Sequence, residues 1–573
     1  MSGSVRGFVH GVHPVTIPPL ADGREARRRR VLVAGGGPVG LAVASALARG
    51  GVECLVVEAD TSVCVGSRAI CLSRRTFEIL DRLGALAPFV AKGLPWTGGR
   101  SFYRDEEVLH FTMPHDEDQR LAPMTNIQQY YVEQYLLDAA KAYGPLVEIR
   151  WGTRVTSVRQ DADGVTVGLE ADGTAYSVEA EYVVACDGAR SQVRQELGLR
   201  MSGAAYEGRY VIVDIELDTD LPTERMAWFD PPSNPSRTML MHRQPDGIWR
   251  LDYQLSPGED PDEMLRAERI GPVVDAHLAT MGIDAPWRLV WKSMYRASAV
   301  SLDRYRHGRV LFAGDAAHLV PIFGVRGLNS GFDDAFNLGW KLGAVLHGFA
   351  PEALLDSYST ERRAAWAFNV AHAMKSTEFM APPSRGFELM RDAVLSLAAR
   401  HPAIGTLINP RQSSTVVYSD SPLSTVTPED GDFTGGPPPG APLPECALRT
   451  EGGETAYLTA SLGDGFTLLI FSDDGIVPER VRAEIRRASA EVPLASLAVV
   501  RPDRPGRRAG LDGITRWLVD REGRAGKLLD ARPGTAYLVR PDGHVCARWR
   551  ELPPGGLGSA MDRALGWPVR NVH

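Results

Sequence analysis

The stretch Val31-Leu-Val-Ala-Gly-Gly-Gly-Pro-Val-Gly40 decides the fold of this chain. Its first four residues are apolar and predict a short buried strand, and the glycines that follow predict a turn. A helix is predicted over 38–49 and a second strand over 52–58, because apolar residues continue through both segments. Strand, helix and strand form a βαβ unit, which indicates an α/β fold.

The glycine turn has the spacing Gly-x-Gly-x-x-Gly, formed by Gly35, Gly37 and Gly40, with Pro38 opening the helix. The first glycine permits a tight turn, the second lets the backbone approach a pyrophosphate, and the third lets helix and strand pack closely. The helix N-terminus offers free N–H groups to the phosphates. Glu58 ends the second strand and can accept hydrogen bonds from an adenosine ribose. The spacing predicts a dinucleotide site, and a packing turn is the alternative.

The composition limits the classes of protein that the chain can represent. With 573 residues it exceeds the size of one hydrophobic core, so two or three domains are expected. A net charge of −8 argues against nucleic acid as the main partner. Six cysteines without a Cys-x-x-Cys pair predict neither a disulfide framework nor a metal site, which favours a reducing, cytoplasmic location. Glycines and Pro38 interrupt the apolar run over 31–48, so we expect no membrane span there.

The pattern of apolar residues changes along the chain and divides it into segments. Alternation of apolar and polar residues dominates from about 209 to 255 and predicts a largely antiparallel sheet. A buried strand over 309–313 and a helix over 329–347 return to the α/β pattern. The predicted organisation is a poorly ordered N-terminal extension (1–30), a discontinuous cofactor domain (31–200 and 300–350), a β-sheet domain (201–299), a helical segment and linker (351–429) and a C-terminal domain (430–573).

Two further motifs follow buried strands. One is Cys186-Asp187-Gly188, and the other is Gly314-Asp315 after the strand over 309–313. Each aspartate is predicted at the carboxyl end of a strand, where α/β folds bind ligands. Taken alone, either aspartate could equally be a turn or cap residue.

The ordered set of three motifs resembles the class A flavoprotein aromatic hydroxylases, above all the group around phenol hydroxylase and 3-(3-hydroxyphenyl)propionate hydroxylase. The resemblance extends over about 31–549. It implies a Rossmann-like FAD-binding domain of the para-hydroxybenzoate hydroxylase type, an antiparallel-sheet substrate domain over 201–299 and a thioredoxin-like domain over 430–573. Cys446 and Cys546 lie too far apart in sequence to form a thioredoxin dithiol, so we expect that last domain to be structural or to form a homodimer.

The resemblance also assigns roles to single residues. It implies that Asp315 binds the flavin ribityl chain and that Asp187, with Arg190, takes part in binding FAD and the nicotinamide cofactor. It further implies FAD contacts from Arg68 and Gln129, which could instead be a surface cation and a helix cap. The predicted cofactor-binding residues are Gly35, Gly37, Pro38, Gly40, Glu58, Arg68, Gln129, Asp187, Gly314, Asp315, Gly327, Leu328 and Asn329.

The segment over 321–329 resembles the family's loop beside the isoalloxazine ring, with Pro321, Gly324 and Gly327 nearest to it. Because the loop leads into a helix N-terminus, its backbone N–H groups can stabilise negative charge on the reduced flavin. The sequence departs from the family at Ile322, where many relatives have proline, and at Val325, where some have glycine. These departures leave open how the substrate is activated, and the sequence identifies no catalytic base.

The activity that the resemblance implies is hydroxylation of a phenolic or other electron-rich aromatic small molecule by O₂, through a flavin C4a-hydroperoxide. NADH or NADPH is the expected transient electron donor, since the chain has no second glycine-rich phosphate loop. An FAD-dependent oxidase or a non-redox flavoprotein acting on a natural-product intermediate is the alternative. A non-enzymatic binding module is disfavoured by the intact motifs.

Large side chains from the sheet block and the loop could line the substrate pocket. For each of them, ordinary sheet core is the competing interpretation. The predicted residues are Trp228, Met239, Met241, Trp249, Tyr253 and Phe323.

Overall fold

A computed structural model describes residues 6–256, 258–408, 415–501 and 513–568. Up to residue 200 the strands and helices are β1 (Leu20–Ala21), β2 (Arg24–Glu25), β3 (Arg29–Ala34), α1 (Pro38–Arg49), β4 (Cys54–Val57), β5 (Cys71–Ser73), α2 (Arg74–Arg82), α3 (Leu86–Lys92), β6 (Leu94–Trp96), β7 (Gly98–Tyr103), β8 (Glu106–Thr112), β9 (Met124–Asn126), α4 (Gln129–Ala142), β10 (Val147–Arg150), β11 (Thr153–Gln160), β12 (Val165–Ala171), β13 (Thr174–Ala185) and α5 (Gln192–Glu196).

From 201 to 408 the described residues form eight strands and six α-helices. They are β14 (Ser202–Leu217), β15 (Arg225–Phe229), β16 (Thr238–Gln244), β17 (Ile248–Gln254), α6 (Pro261–Met264), α7 (Ala267–Thr280), β18 (Trp287–Ser301), β19 (Arg306–His307), β20 (Val310–Phe312), β21 (His318–Leu319), α8 (Gly327–Leu346), α9 (Leu354–Met380), α10 (Arg385–Ala398) and α11 (Pro402–Gly405).

The remaining elements belong to the C-terminal domain. They are β22 (Ala447–Arg449), β23 (Thr455–Tyr457), β24 (Phe466–Ser472), α12 (Glu479–Ser489), β25 (Leu494–Val500), β26 (Arg516–Val519), α13 (Arg524–Leu528), β27 (Ala536–Val539), β28 (Val545–Trp549) and α14 (Gly556–Ala564).

The cofactor domain is built on a ten-stranded sheet with a parallel centre. In that centre β10, β4, β3, β13 and β20 lie side by side in this order, all parallel. The residues of β3 from Val31 to Ala34 are fully buried, as expected for a strand covered on both faces. Helix α1 packs against both α4 and α8. The carboxyl ends of three adjacent strands, β3, β13 and β20, therefore meet at one edge.

The N-terminal extension is better ordered than the sequence predicts. Strands β1 and β2 pair with each other, and β2 continues onto β13. Phe8 is buried and its ring packs against Tyr130 and Tyr131. The prediction of a poorly ordered segment over 1–30 is therefore wrong for the described residues from Arg6 onward, because apolar contacts with α4 and pairing with the sheet order them.

The second sheet has eight strands in the order β21-β18-β14-β17-β16-β15-β7-β8. It is antiparallel, as the alternation predicts, except that β15 runs parallel to β7. Strands β7 and β8 come from residues 98–112, inside the range assigned to the cofactor domain. The sheet therefore extends beyond 201–299, because a short alternating segment remote in sequence completes its edge.

The C-terminal domain is a seven-stranded mixed sheet in the order β23-β22-β26-β25-β24-β27-β28. Strand β24 is parallel to β25 and antiparallel to β27, which forms a hairpin with β28. The domain packs on the cofactor domain through buried charges: Glu361 of α9 pairs with Lys341 of α8 at 2.7 Å and with Arg540 at 2.5 Å.

Candidate functional site

The three motifs, widely separated in sequence, meet at the carboxyl ends of the adjacent strands β3, β13 and β20. Gly35 has a φ of +102°, and a Cβ there would lie 2.5 Å from the carbonyl oxygen of Cys186, so the first motif touches the second. A Cβ on Gly314 would lie 2.9 Å from Cγ2 of Val39, so the third motif touches the first turn of α1. Glycine is favoured at Gly35 by the close approach of a backbone and at Gly314 by a φ of +58° beside the Val39 side chain.

The first turn of α1 is open. A Cβ on Gly37 would meet nothing within 4 Å, whereas one on Gly40 would collide with the carbonyl oxygen of Gly35. Pro38 occupies the first turn, which contains no acidic residue, and Gly37 provides no side-chain cap. The helix N-terminus thus presents uncapped N–H groups beside free space, which is the arrangement that a pyrophosphate requires.

Glu58 lies directly behind this turn. Its Oε2 accepts a hydrogen bond from the backbone N–H of Gly36 at 2.6 Å, and its Oε1 accepts one from Asp60 at 2.9 Å. Burial raises the pKa of Glu58, and these bonds oppose the shift. Since each carboxylate oxygen can accept more than one hydrogen bond, Glu58 can hold the turn and still accept from ribose hydroxyls.

Asp315 lies in the turn that follows β20, and it is exposed to solvent. Protein atoms crowd around the carboxyl group, and this desolvation raises its pKa, while the charges of His318 and Arg68 oppose the rise. Arg68 is itself exposed. The fold thus brings Arg68 close enough for its charge to act on Asp315, although the two residues are 247 positions apart in sequence.

Asp334 of α8, fully buried, holds the Gly314-Asp315 turn in place. Its Oδ2 accepts from the backbone N–H of Gly314 at 3.0 Å and contacts Nε2 of His318 at 2.6 Å, and its Oδ1 accepts from Nε of Arg362 at 2.5 Å. The positive partners hold the pKa of Asp334 far below its usual range, although burial acts the other way. The sequence prediction missed this residue as a determinant of the turn.

Gln129 organises the loop that carries Arg68. Its Oε1 accepts from the backbone N–H groups of Arg68 at 3.3 Å and Ala69 at 3.2 Å, and its Nε2 donates to Glu133 at 2.9 Å. From the other side, Nη1 of Arg250 donates to the carbonyl oxygen of Arg68 at 2.7 Å. Protein groups therefore occupy Oε1 and one N–H of the Gln129 amide, and the second N–H has no partner among these bonds.

Asp187 acts as a cap. Its Oδ2 accepts from the backbone N–H of Val193 at 3.0 Å, in the first turn of α5, while its Oδ1 is buried without a partner among the described residues. Burial raises the pKa of the carboxyl group. Oδ2 therefore caps the helix, which is the alternative role considered from the sequence, whereas Oδ1 can accept a hydrogen bond from a ligand.

Two consecutive residues of the loop before α8 have a left-handed backbone, and only the first of them is glycine. Gly324 has a φ of +95° and Val325 a φ of +53°. A β-branched residue in this region is strained by about 1–3 kcal/mol. Pro321 precedes this loop and is buried.

The first turn of α8 offers backbone donors. Within the described residues, no backbone carbonyl accepts from Gly327, Leu328 or Asn329, as is usual for the first N–H groups of a helix. The side chain of Asn329, in contrast, is occupied: its Oδ1 accepts from the Ser73 N–H at 2.9 Å, and its Nδ2 donates to the Cys71 carbonyl at 3.2 Å. Asn329 can therefore contact a flavin only through its backbone.

The predicted substrate residues divide between the two faces of the second sheet. Phe323 packs with Tyr210, Phe229 and Leu240, on the face that meets the loop before α8. The other five pack with α7 on the opposite face. They therefore belong to the ordinary core of the sheet, which was the competing interpretation. These five are Trp228, Met239, Met241, Trp249 and Tyr253.

The residues on the loop-facing side of the sheet escaped the sequence prediction. Tyr210 and Phe323 have ring centroids 5.1 Å apart. Next to this apolar surface, buried charged residues stand on the same face, among them Asp214, Arg225 and Asp252. The sequence did contain a pattern that indicates this surface: charged residues occur inside strands that alternate and are buried. A buried charge requires a partner or a ligand.

The described residues contain no group of three or more His, Cys, Asp or Glu that could hold a metal ion. All six cysteines are free thiols. None of the helices in the described ranges has an apolar stretch long enough to cross a bilayer.

Comparison with known proteins agrees with this geometry. The FAD binding domain family matches residues 28–373. The chain is 31% identical over 557 residues to the 12-dehydrotetracycline 5-monooxygenase/anhydrotetracycline 6-monooxygenase of Streptomyces rimosus, covering 94% of this chain and 99% of that one. It is 28% identical over 525 residues to the 3-(3-hydroxy-phenyl)propionate/3-hydroxycinnamic acid hydroxylase of Mycolicibacterium smegmatis, covering 89% of each chain.

A solved structure resembles the whole molecule. The flavin-dependent monooxygenase PieE, in complex with FAD and substrate, superimposes with a TM-score of 0.79 at 26% identity, covering 95% of this chain and 100% of that one. The resemblance first drawn from three motifs is thereby confirmed.

Proposed function

The chain belongs to the family of FAD-dependent aromatic monooxygenases, and from this we propose that it hydroxylates a phenolic or polycyclic aromatic small molecule, with O₂ as the oxygen source and NADH or NADPH as the donor. One observation carries the proposal. The three motifs leave space above Gly37 and an accessible carboxylate at Asp315, on the same edge of the sheet. These features fit a long dinucleotide that runs from the turn at Gly37 to the end of β20.

Each group of residues has its own task in this proposal. The N-terminus of α1 binds the pyrophosphate, Glu58 accepts from the adenosine ribose, and Asp315 accepts from the ribityl hydroxyls. The backbone donors of Gly327 and Leu328 face the ring system. When bound and reduced, FAD supplies the oxygen chemistry, and the protein supplies orientation and exclusion of water.

The surface formed by Tyr210, Phe229, Leu240 and Phe323 supports an aromatic substrate. It is apolar, it stands beside the loop before α8, and Tyr210 and Phe323 meet edge to face. The relatives act on a hydroxyphenyl compound and on tetracycline intermediates, which supports aromatic substrates of one or several rings.

The test is to purify the protein with its flavin and screen phenols and polycyclic phenols for stimulation of NADH and NADPH oxidation. Product formed under ¹⁸O₂ is then analysed by mass. One labelled oxygen atom in the product is the expected result. A product without oxygen from O₂ would support the alternative, an FAD-dependent oxidase, and absence of flavin from the folded protein would contradict both.

For residues 430–573 we propose a thioredoxin-like fold with a structural role. The spatial order β25-β24-β27-β28, with β24 and β25 parallel and joined by α12, supports this assignment. Cys446 and Cys546 are buried, and burial raises the pKa of each thiol to about 12, which disfavours dithiol chemistry. We also propose a homodimer in a reducing, cytoplasmic environment, and light scattering of the holoenzyme tests the dimer.

A further inference from the structure

A row of buried polar side chains crosses the loop-facing side of the second sheet. In the strand register Arg225 is paired with His242, His242 with Arg250, and Arg250 with Asp214. Asp252 lies two residues from Arg250 on β17 and therefore on the same face. All five residues are less than a tenth exposed. Such a row requires internal partners or a ligand.

One half of the row satisfies itself. The guanidinium of Arg250 donates to both carboxylate oxygens of Asp214 at 2.8 and 2.9 Å, and it also donates to the carbonyl oxygens of Ser67 and Arg68. This pair fixes the loop that carries Arg68, and its charges compensate each other.

The other half is not satisfied by the protein. Within the described residues, the guanidinium of Arg225 has no hydrogen bond and no ion pair, although Arg225 is only 7% exposed. Nδ1 of His242 and Oδ1 of Asp252 are likewise buried without a hydrogen-bond partner there. An unpaired buried arginine is costly, so this cluster is suited to a ligand that supplies the missing acceptor.

The cluster stands at one end of the proposed aromatic surface. Arg225 shares its face of β15 with Phe229, which packs with Phe323 of the loop before α8. On the other side, the charge of Arg225 acts on Cys71, which packs with Val325 of the same loop. Arg225 therefore lies between the sheet and the cofactor domain, next to the apolar surface.

The charges of the cluster do not cancel at neutral pH. Burial lowers the pKa of Arg225 only to about 10, so it stays positive. Burial, assisted by Arg225 and Arg250, lowers the pKa of His242 to about 3, so it is neutral. Burial raises the pKa of Asp252 to about 7, helped by Asp214 and opposed by Arg250 and Arg225. A positive charge that is only partly compensated therefore remains inside the protein.

We propose that Arg225, with His242 and Asp252 beside it, forms an anion subsite of the substrate pocket that binds an ionised oxygen group on the aromatic substrate. This inference rests on the proposed function and narrows its substrate class to aromatic compounds carrying a carboxylate or an ionised hydroxyl. Arg225 pairs with the anion, and His242 and protonated Asp252 can donate hydrogen bonds to it.

The test measures binding of matched neutral and anionic aromatic probes to the FAD-loaded enzyme by equilibrium dialysis. The probes are 4-nitrobenzoate against 4-nitrobenzamide, and 4-nitrophenolate against 4-nitroanisole. The wild-type enzyme should prefer the anion in at least one pair, and that pair identifies the carboxylate or the ionised hydroxyl as the group recognised. Arg225→Gln should weaken binding of that anion by about tenfold or more while leaving the neutral probe unchanged.

Two further variants separate recognition from folding. Arg288→Gln removes an exposed arginine of β18 on the same sheet and should leave all four affinities unchanged. Asp252→Asn keeps the shape of the cluster, removes its negative charge and should tighten anion binding. Loss of anion binding in Asp252→Asn would contradict the proposal even if Arg225→Gln failed to fold.

The pH dependence gives a readout that a merely structural role would not produce. As the pH rises through about 7, Asp252 ionises and compensates Arg225, so binding of 4-nitrobenzoate should weaken. The other groups around Asp252 do not titrate there, because burial raises the pKa of the Tyr210 hydroxyl and of the Cys71 thiol to well above neutrality. The dependence should vanish in Asp252→Asn.

Flavin content is measured in the same samples, which separates failure of this inference from failure of the proposed function. A yellow wild-type enzyme that binds none of the four probes, or binds both members of each pair equally, overturns the anion subsite and leaves the monooxygenase assignment standing. A folded enzyme that takes up no flavin contradicts the proposed function itself.

Discussion

Gly35 and Gly37 are neighbours in one motif, but the structure gives them different requirements. Gly35 has a left-handed backbone, and a side chain there would strike the Cys186 carbonyl. Contacts within the protein therefore require glycine at this position. Gly37 has an extended backbone with a φ of −73°, and the space beside it is empty of protein. Nothing in the protein requires glycine there, so we expect the bound ligand to require it. The two glycines therefore allow stability and cofactor affinity to be separated.

We predict that Gly37→Ala leaves the thermal unfolding midpoint of the flavin-free protein unchanged but weakens FAD binding, since the new methyl group points into the pyrophosphate space. Gly35→Ala should instead lower that midpoint, because strain and collision cost about 1–3 kcal/mol or more. Calorimetry of the flavin-free protein and titration with FAD measure both effects. Equal losses of stability in the two variants would contradict the assignment.

Asp315 is expected to bind cofactor without stabilising the protein. It is exposed, and no hydrogen bond within the described residues uses its carboxylate. Asp315→Ala should therefore lose FAD or bind it at least about tenfold more weakly, since each hydrogen bond to a charged group is worth about 1.5–3 kcal/mol. Absorbance of the purified protein gives the flavin content. Asp303→Ala, at an exposed aspartate earlier in the chain, is the control and should keep its full yellow colour.

At the scale of elements, α8 has two roles. Its first turn faces the proposed ring site, and its next turn holds the Gly314 turn through Asp334. The same helix packs on α1 along small residues, where a Cβ on Gly339 would lie 2.5 Å from Cβ of Ala46. A single helix thus couples the position of the third motif to that of the first.

Asp334→Asn should destabilise the protein by about 3 kcal/mol or more, because it leaves Arg362 buried without its counter-charge. Thermal unfolding measures the change. Asp333→Asn is a matched control at the adjacent position, where the ion pair with Arg75 is partly exposed, and it should cost about 1 kcal/mol or less. A similar loss in both variants would argue against the anchoring role of Asp334.

The same carboxyl group predicts an acid-dependent stability. Because the pKa of Asp334 is lowered in the folded state, its contribution is complete at neutral pH and declines as the pH falls below the ordinary carboxyl value of about 4. The wild-type unfolding midpoint should therefore fall with acidification more steeply than that of Asp334→Asn. Parallel pH profiles would contradict this prediction.

At the scale of the whole molecule, a buried charge network joins the C-terminal domain to the cofactor domain. Arg540 bonds to Glu361 and to Asp542 at 2.5 Å, and Nδ2 of Asn337 donates to both acids. Arg540 is 2% exposed and Glu361 is 1% exposed. The C-terminal domain is therefore held by α8 and α9, the helices whose Asp334 and Arg362 also anchor the Gly314-Asp315 turn.

Arg540→Met should weaken this docking by about 3–5 kcal/mol, because two buried carboxylates lose their main counter-charge. Faster limited proteolysis and a lower unfolding midpoint are the expected results. Arg532→Met, at an exposed position of the same domain, is the control and should behave as the wild type. Unchanged proteolysis of Arg540→Met would show that other contacts hold the domain.

The sequence by itself was sufficient to predict the α/β fold around the glycine turn and the family of the chain. The βαβ unit, the glycine spacing, Glu58 and the two strand-end aspartates depend on local backbone geometry, and such constraints act within a few residues. Family membership followed from the order of these motifs. Local patterns also predicted the antiparallel character of the second sheet, because alternation with a period of two is a property of each strand.

Only the tertiary structure decided which face of that sheet meets the loop before α8. Alternation separates two faces but does not say which one a distant helix will cover, so Trp228 and Met239 were assigned to the pocket although α7 covers them. The anchor at Asp334, the occupied side chains of Gln129 and Asn329, and the unpaired Arg225 all depend on contacts between residues far apart in sequence. Long-range packing fixes such contacts, and no local pattern encodes them.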